Sequence, residues 1–281
     1  MLGTVHEVER GQLRTYVSSD GRTLRYRVIP AVHERHALVY LHGIESHGEW
    51  FLATAQALAQ RGCTTYLVDR RGSGLNRDTD EGDAASASVL LDDVRRFREH
   101  AALESLFLVG LSWGGKLALA AALDEPQGVC GLILVTPGLV PQVEFSWPQK
   151  LGVALSFAIG GRTRFHVPIE PDMFTRTPHY LDYIRSDPLR LERVTARFLV
   201  ASQRLDGWIR ARVHALDCPV LLFLAENDRI IDNARTLALL EPLREGQLHV
   251  REYAHATHSI QFDNTAELAR DISSFVEDVT C

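Results

Sequence analysis

An α/β architecture built on a mostly parallel sheet of eight strands is what this sequence predicts, and three observations predict it. Short apolar runs alternate along the chain with segments of helical periodicity. The central runs are apolar without a polar alternation, as expected of strands covered by helices on both faces. Finally, Gly110-Leu111-Ser112-Trp113-Gly114 falls where one apolar run stops and a helical segment starts. Such alternation implies parallel strands joined by right-handed crossovers.

The elements follow in order. Leu13 to Val17 and Leu24 to Ile29 form an opening hairpin that turns at Asp20-Gly21, a strong turn pair. Further strands are expected near 37–41, 64–68, 105–109, 129–135, 219–224 and 247–253. Helices are expected near 49–60, 85–100, 114–123, 232–240 and 264–277. The stretch from Pro137 to Leu216 interrupts the alternation and is far too long for a simple connection. Helical patterns at 147–159 and 189–215 within it are broken by Gly160-Gly161, Pro168, Pro171 and Pro178. The chain therefore divides into a core of 1–136 with 217–281 and an insertion of 137–216.

The pentapeptide carries the chemistry. In a tight strand-to-helix turn, side chains two before and two after the serine would collide with backbone, so glycine is required at both places. The Ser112 hydroxyl then projects from the turn, and the N–H of Trp113 at the helix start can face a developing oxyanion. A serine nucleophile needs a base, and the base needs an orienting acid. On strand–elbow–helix scaffolds these follow in the order serine, acid, histidine. Ala225-Glu226-Asn227-Asp228 closes the strand at 219–224, and a loop with His255 and His258 follows the strand at 247–253. Asp228 is the acid favoured by loop position, with Glu226 and Asp232 as alternatives; chemistry alone leaves His255 and His258 both open. The second oxyanion donor should follow the strand at 37–41. There Gly43 allows close backbone approach and the Ile44 N–H is the natural donor, while His42 and His47 read as residues that order the loop.

Composition narrows the remaining classes. A chain of 281 residues can bury a sizeable core, and 46% hydrophobic with 23% charged residues is typical of a water-soluble globular chain. The net charge of -6, with no basic run or stacking-aromatic module, gives no reason to expect a nucleic-acid partner. Lys116 lacks the glycine spacing of a phosphate-binding loop, and no His/Cys cluster implies a metal or other cofactor. Cys63, Cys130, Cys218 and Cys281 are scattered singly, which reads as unpaired thiols in a reducing compartment. Met1 to Arg10 shows no export-signal pattern, and no apolar stretch reaches the roughly 20 residues that span a bilayer. A cytoplasmic location is the expectation; oligomeric state is left open.

These motifs carry a resemblance. Leu41-His42-Gly43-Ile44-Glu45-Ser46-His47 looks like an H-G-x-x-E-x-H oxyanion loop, and Asp69-Arg70-Arg71-Gly72-Ser73-Gly74 looks like a D-x-R-G-x-G loop. With the elbow at Gly110 to Gly115, Ala225 to Asp228, and Ala256-Thr257-His258, the chain resembles the α/β-hydrolase superfamily. The similarity is to the monoacylglycerol lipase and lysophospholipase-like branch, the serine aminopeptidase S33 type. It spans about Asp20 to Val276 and is weakest in the insertion. Asn76 departs from the usual serine, and Trp113 from the usual histidine or methionine.

The resemblance implies a Ser112–Asp228–His258 triad, with His258 rather than His255, an oxyanion hole from Ile44 and Trp113, and a helical cap at 137–216. It implies a serine hydrolase cleaving carboxylic esters through an acyl-enzyme, with a small-molecule or single-chain lipid ester as substrate. His42, Gly43, Leu155 and Phe157 would line the substrate site. The apolar segment Leu151 to Ile159 would be a helix buried on the core, a lid over an acyl channel, or a face in transient contact with a membrane. Small-ester, thioester or amide hydrolysis uses the same triad, and a non-catalytic receptor on the same fold is the alternative of a different class.

Overall fold

A computed structural model of the chain describes residues 10–78 and 80–281. The expectation of no export signal in Met1 to Arg10 falls, apart from Arg10, outside them. Ten strands are described: β1 (Gln12–Val17), β2 (Thr23–Ile29), β3 (His36–Leu41), β4 (Cys63–Val68), β5 (Leu106–Leu111), β6 (Val129–Val135), β7 (Arg164–His166), β8 (Arg193–Thr195), β9 (Val220–Ala225) and β10 (Leu248–Tyr253). Eight of them form one sheet in the order β1-β2-β4-β3-β5-β6-β9-β10. β1 and β2 join antiparallel, and every pair from β4 to β10 is parallel. The sheet has the eight strands, mostly parallel, that the sequence predicts.

Side chains alternate between the two sheet faces, and each face has its own core. Val39, Leu41, Leu108, Leu132, Leu134, Leu222 and Leu224 lie in one buried cluster; Leu38, Tyr40, Phe107, Val109, Ile133, Leu221 and Phe223 lie in the other. This is why the central strands are apolar at every position. The helices are α1 (Leu52–Ala59), α2 (Ala87–His100), α3 (Trp113–Asp124), α4 (Trp147–Ala158), α5 (Pro171–Phe174), α6 (Pro178–Ser186), α7 (Ala196–Arg212), α8 (Asn233–Leu240), α9 (Ile260–Asp263) and α10 (Thr265–Asp278). α1 and α10 pack on one face, while α3 packs on the other against α2 and α7.

The chain passes from β3 outward to β4 and returns to β5 on the other side of β3. That reversal opens a crevice at the carboxyl ends of β3 and β5, where ligands bind in open parallel sheets. The pairing of Leu41 with Gly110, and of Leu111 with Val135, brings the loops after β3, β5 and β6 to one edge.

The segment between β6 and β9 holds α4 to α7 and a small antiparallel pair, β7 with β8. The helix expected over 189–215 begins only at Ala196, because Thr195 caps it by accepting from Phe198 N, and Arg193–Thr195 pairs as β8. Four unpaired cysteines were also expected. Instead Cys130, at the start of β6, is disulfide-bonded to Cys281, with Cys63 and Cys218 free and buried. The thiol argument for a reducing compartment is thereby removed. Among the described residues, no helix is long and apolar enough to cross a membrane.

Candidate active site

Backbone geometry at the end of β5 sets the first part of the site. Ser112 has φ 52° and ψ −124°, a left-handed conformation that costs a non-glycine residue about 1–3 kcal/mol. A Cβ on Gly110 would lie 2.5 Å from Gly114 O, and one on Gly114 would fall onto the carbonyl oxygen of Leu41. Only glycine fits at either place, so β5 and β3 can approach α3 closely. The elbow is tied to the loop after β6, since Ser112 N donates to Val135 O (3.0 Å) and Gly138 N to Ser112 O (2.6 Å). Trp113 is the first residue of α3, so its N–H has no partner within the helix.

The same loop reaches the histidine, because Thr136 Oγ1 donates to His258 O at 2.9 Å. His258 Nδ1 lies 2.8 Å from Asp228 Oδ2, and both side chains are fully buried. The other Asp228 oxygen accepts from Ile230 N (2.8 Å) and Ile231 N (3.0 Å). Those two N–H groups orient the carboxylate, so Nδ1 carries a hydrogen and donates to Oδ2. His258 Nε2 has no protein partner among the described residues. The ring is thus held at one nitrogen and free at the other, which is what a general base requires.

The alternatives to this pair are engaged elsewhere. His255 points outward, with its side chain 93% exposed and Nδ1 3.3 Å from Glu226 Oε2. Asp232 caps α8 by accepting from Arg235 N at 2.9 Å. Asn227 N donates to Ala256 O at 2.9 Å, so the acid and base loops support each other directly.

The loop after β3 is ordered by buried polar contacts. His42 Nε2 accepts from Arg70 N (2.9 Å), so its Nδ1 carries the hydrogen and donates to Gly43 O (2.7 Å). Burial, reinforced by the Arg70 charge, holds the His42 pKa well below the usual histidine value, so the ring stays neutral. Both nitrogens are used within the protein, so His42 orders this loop. Gly43 lies against Ser112, since a Cβ there would be 3.3 Å from Ser112 Cβ. Ile44 is half-buried beside it. Asp69 completes the loop by accepting from Gly48 N (2.6 Å) and Leu75 N (2.8 Å).

The insertion supplies partners that no sequence signal marked. Asp187 Oδ2 accepts from Trp50 Nε1 (2.6 Å) and lies 2.9 Å from His47 Nε2. Burial alone would lower the His47 pKa; the neighbouring carboxylates, Asp187 first, outweigh it and raise the value. Arg190 holds Glu45 through Nε (2.9 Å) and Nη2 (2.8 Å). Burial nevertheless pushes the Glu45 carboxyl up to about 7, more than Arg190 pulls it down. Phe174 O accepts from Ser259 N (2.8 Å) and Thr257 Oγ1 (3.0 Å), seating α5 directly on the histidine loop.

Of the three readings of the apolar segment, the exposure of Leu155 and Phe157 excludes a helix buried on the core. They are 62% and 38% exposed on α4, so they do not form a buried channel wall. Trp113 turns its ring away into the core side, where Nε1 donates to Ser202 Oγ (2.9 Å) and the ring meets Phe198 at 4.9 Å. Among the described residues, no cluster of three or more His, Cys, Asp or Glu could hold a metal ion.

A family model described as serine aminopeptidase, S33, matches residues 32–265. The chain is 24% identical to the monoglyceride lipase of Rattus norvegicus over 287 residues, covering 97% of this chain and 93% of that protein. It is also 24% identical to the monoacylglycerol lipase of Mycolicibacterium smegmatis, covering 86% and 88%. A soluble variant of the monoglyceride lipase of Saccharomyces cerevisiae, solved with a substrate analog, superposes with a TM-score of 0.83 at 18% identity over 95% of each chain.

Proposed function

Because this chain belongs to the serine aminopeptidase S33 family of α/β-hydrolases and is a serine carboxylic-ester hydrolase, we propose that it cleaves single-chain lipid esters with a Ser112–His258–Asp228 triad. Ser112 Oγ attacks the ester carbonyl carbon and its proton passes to His258 Nε2. The carbonyl oxygen becomes an oxyanion that accepts from the N–H groups of Ile44 and Trp113. The C–O bond to the alcohol then breaks, and the alcohol leaves with the proton from His258. Water, deprotonated by the same ring, attacks the acyl-serine and releases the acid with Ser112 restored. Asp228 keeps the hydrogen on Nδ1 and stabilises the imidazolium formed in each half.

The observation that carries this reading is the left-handed Ser112 at the elbow, a strained backbone that serves no evident packing need. The order of substrate size rests on kinship with the monoacylglycerol lipases and on the surface of α4. Trp147, Leu151, Leu155 and Ile159 are spaced by four residues and are 61–87% exposed, forming one apolar stripe. We read residues 137–216 as a cap and this stripe as the face that rests on lipid aggregates, with its apolar area driving contact.

An ester series from acetate to dodecanoate, with Ser112→Ala as blank, tests the proposal. Each methylene bound by the protein contributes up to about 0.8 kcal/mol, or roughly fourfold in kcat/KM, until the site is full. A flat or falling profile with a dead Ser112→Ala would overturn the lipid substrate and favour small esters, thioesters or amides. No labelling of wild type by a fluorophosphonate would instead point to a receptor on this fold.

A further inference from the structure

Arg70 is a buried cation with no carboxylate partner in ion-pair range among the described residues, and it packs on the ring of Trp113, the residue after Ser112. It occupies the variable position of the D-x-R-G-x-G loop and is 7% exposed. Its neighbour Arg71 is neutralised by Asp93 and Asp20. The Arg70 guanidinium instead faces main-chain carbonyls, with Nη2 3.1 Å from Ile44 O and Nη1 3.5 Å from Gly43 O. Its Cζ lies over two neighbouring aromatic rings, 4.7 Å from the centroid of Trp113 and 4.7 Å from that of Phe198, the two rings being 4.9 Å apart. Burial draws its pKa down to about 9, so it keeps its charge at neutral pH. Desolvating a cation without an ion-pair partner is costly, and these two carbonyls, two π faces and the charge of neighbouring Asp69 offset part of that cost.

Two of these contacts, the Gly43 carbonyl and the Trp113 ring, bear on the oxyanion donors. The Gly43 carbonyl belongs to the peptide whose N–H is that of Ile44. It already accepts from His42 Nδ1, whose tautomer is fixed by the Arg70 main-chain N–H. Donors at a carbonyl polarise its amide and strengthen the N–H on the other side. The Trp113 ring, meanwhile, belongs to the residue supplying the second N–H. We propose that Arg70 is the positioning residue of the oxyanion hole: one side chain locks the Ile44 and Trp113 donors to each other and adds positive potential where negative charge develops. The inference rests on the Ser112, Ile44 and Trp113 assignments above.

With Nη1 and Nη2 facing these carbonyls and the side chain buried, Arg70 acts on the transition state and not as a receptor for an anionic substrate; its Nε is buried with no hydrogen-bond partner among the described residues. Arg70→Met keeps length and apolar contact, and Arg70→Lys keeps charge without the planar fork. Turnover of p-nitrophenyl butyrate is measured per active site, counted by fluorophosphonate labelling, alongside inhibition by a trifluoromethyl ketone that forms an oxyanion on the serine. Loss of one oxyanion donor costs about 10²–10³-fold, and loosening both should cost Arg70→Met about 10–100-fold in kcat with KM within about threefold. The ketone should weaken in step with kcat/KM, and Arg70→Lys should recover part of both.

A merely structural role would lower the number of labelled sites while leaving kcat per site unchanged, and that result overturns the proposal. So does a rise confined to KM that is larger for hemisuccinate than for neutral esters, which would make Arg70 a substrate contact. Should Arg70→Met fail to fold, Arg70→Lys and Arg70→Gln are read by the same criteria. Ser112→Ala separates the two levels: its full activity would sink the triad, whereas a dead Ser112→Ala beside an unimpaired Arg70→Met sinks only the role of Arg70.

Discussion

Replacing Asp228 by asparagine changes two atoms' chemistry and almost no volume, and the structure dictates which way the new amide turns. One carboxylate oxygen accepts from Ile230 N and Ile231 N at 2.8 and 3.0 Å; the other faces His258 Nδ1 at 2.8 Å. If the amide NH2 faced the two backbone N–H groups, both would be left buried without an acceptor, at about 1–3 kcal/mol each. The carbonyl oxygen therefore stays with Ile230 and Ile231, and the NH2 points at Nδ1. Nδ1 must then accept, which moves the ring hydrogen to Nε2, the nitrogen that should receive the Ser112 proton. The base is switched off by tautomer alone. The equivalent change in a serine-protease triad lowers kcat about 10⁴-fold, which at about 1.4 kcal/mol per tenfold corresponds to about 5 kcal/mol. Steady-state kinetics on a p-nitrophenyl ester, with circular dichroism to confirm the fold, gives the magnitude, and imidazole ¹⁵N spectra report which nitrogen is protonated. Asp228→Asn retaining kcat within about tenfold, or keeping hydrogen on Nδ1, would refute the reasoning. Glu226→Gln is the control, because Glu226 serves only the exposed His255 loop.

Three further outcomes are expected. Gly43→Val should lower kcat by about 10²–10³-fold in a folded protein, since its Cβ would sit 3.0 Å from Ser46 Oγ and 3.3 Å from Ser112 Cβ; normal turnover would place the oxyanion donor in another loop. The Glu45 carboxyl is raised from 4.5 to about 7 by burial, so the folded chain binds its proton more tightly than the unfolded chain. Its contribution to stability is therefore full below about pH 4.5 and falls by about 3 kcal/mol as pH rises to about 7. Glu45→Gln should flatten that part of the curve in urea titrations, and parallel curves would count against it. Cys281→Ser should remove up to about 5 kcal/mol of stability, because the Cys130–Cys281 bond closes a separation of 151 residues; a Tm indifferent to dithiothreitol in wild type would exclude the bond.

What could be read from the sequence was local. Apolar runs of five to seven residues between helical segments gave away the sheet, because side-chain periodicity is a property of the backbone and needs no knowledge of neighbours. The Gly110–Ser112–Gly114 spacing was equally legible, since the collision it avoids lies within one turn and the strand next to it. Asp228 and His258 were harder: their loops could be located from strand ends, yet the residues alone left His255 beside His258, and only the resemblance favoured the latter; in the structure His255 is exposed and lies against Glu226. The extent of the helix after β8 was misjudged because Thr195, a competent cap, sits inside a run that reads as continuous helix.

The sequence by itself determined the class of fold, the nucleophile's turn and the loops in which an acid and a base could stand. Only the tertiary structure decided which distant groups meet. Asp187 reaches His47 and Trp50, Arg190 reaches Glu45, and Cys130 reaches Cys281, all across more than a hundred residues and without any motif. It also decided that Leu155 and Phe157 face outward, since an apolar run states what should be shielded from water and not what will shield it. Arg70 is the clearest case. A buried cation without an ion-pair partner has no sequence signature, because its partners are two main-chain carbonyls and two ring faces that only the folded loops bring to it.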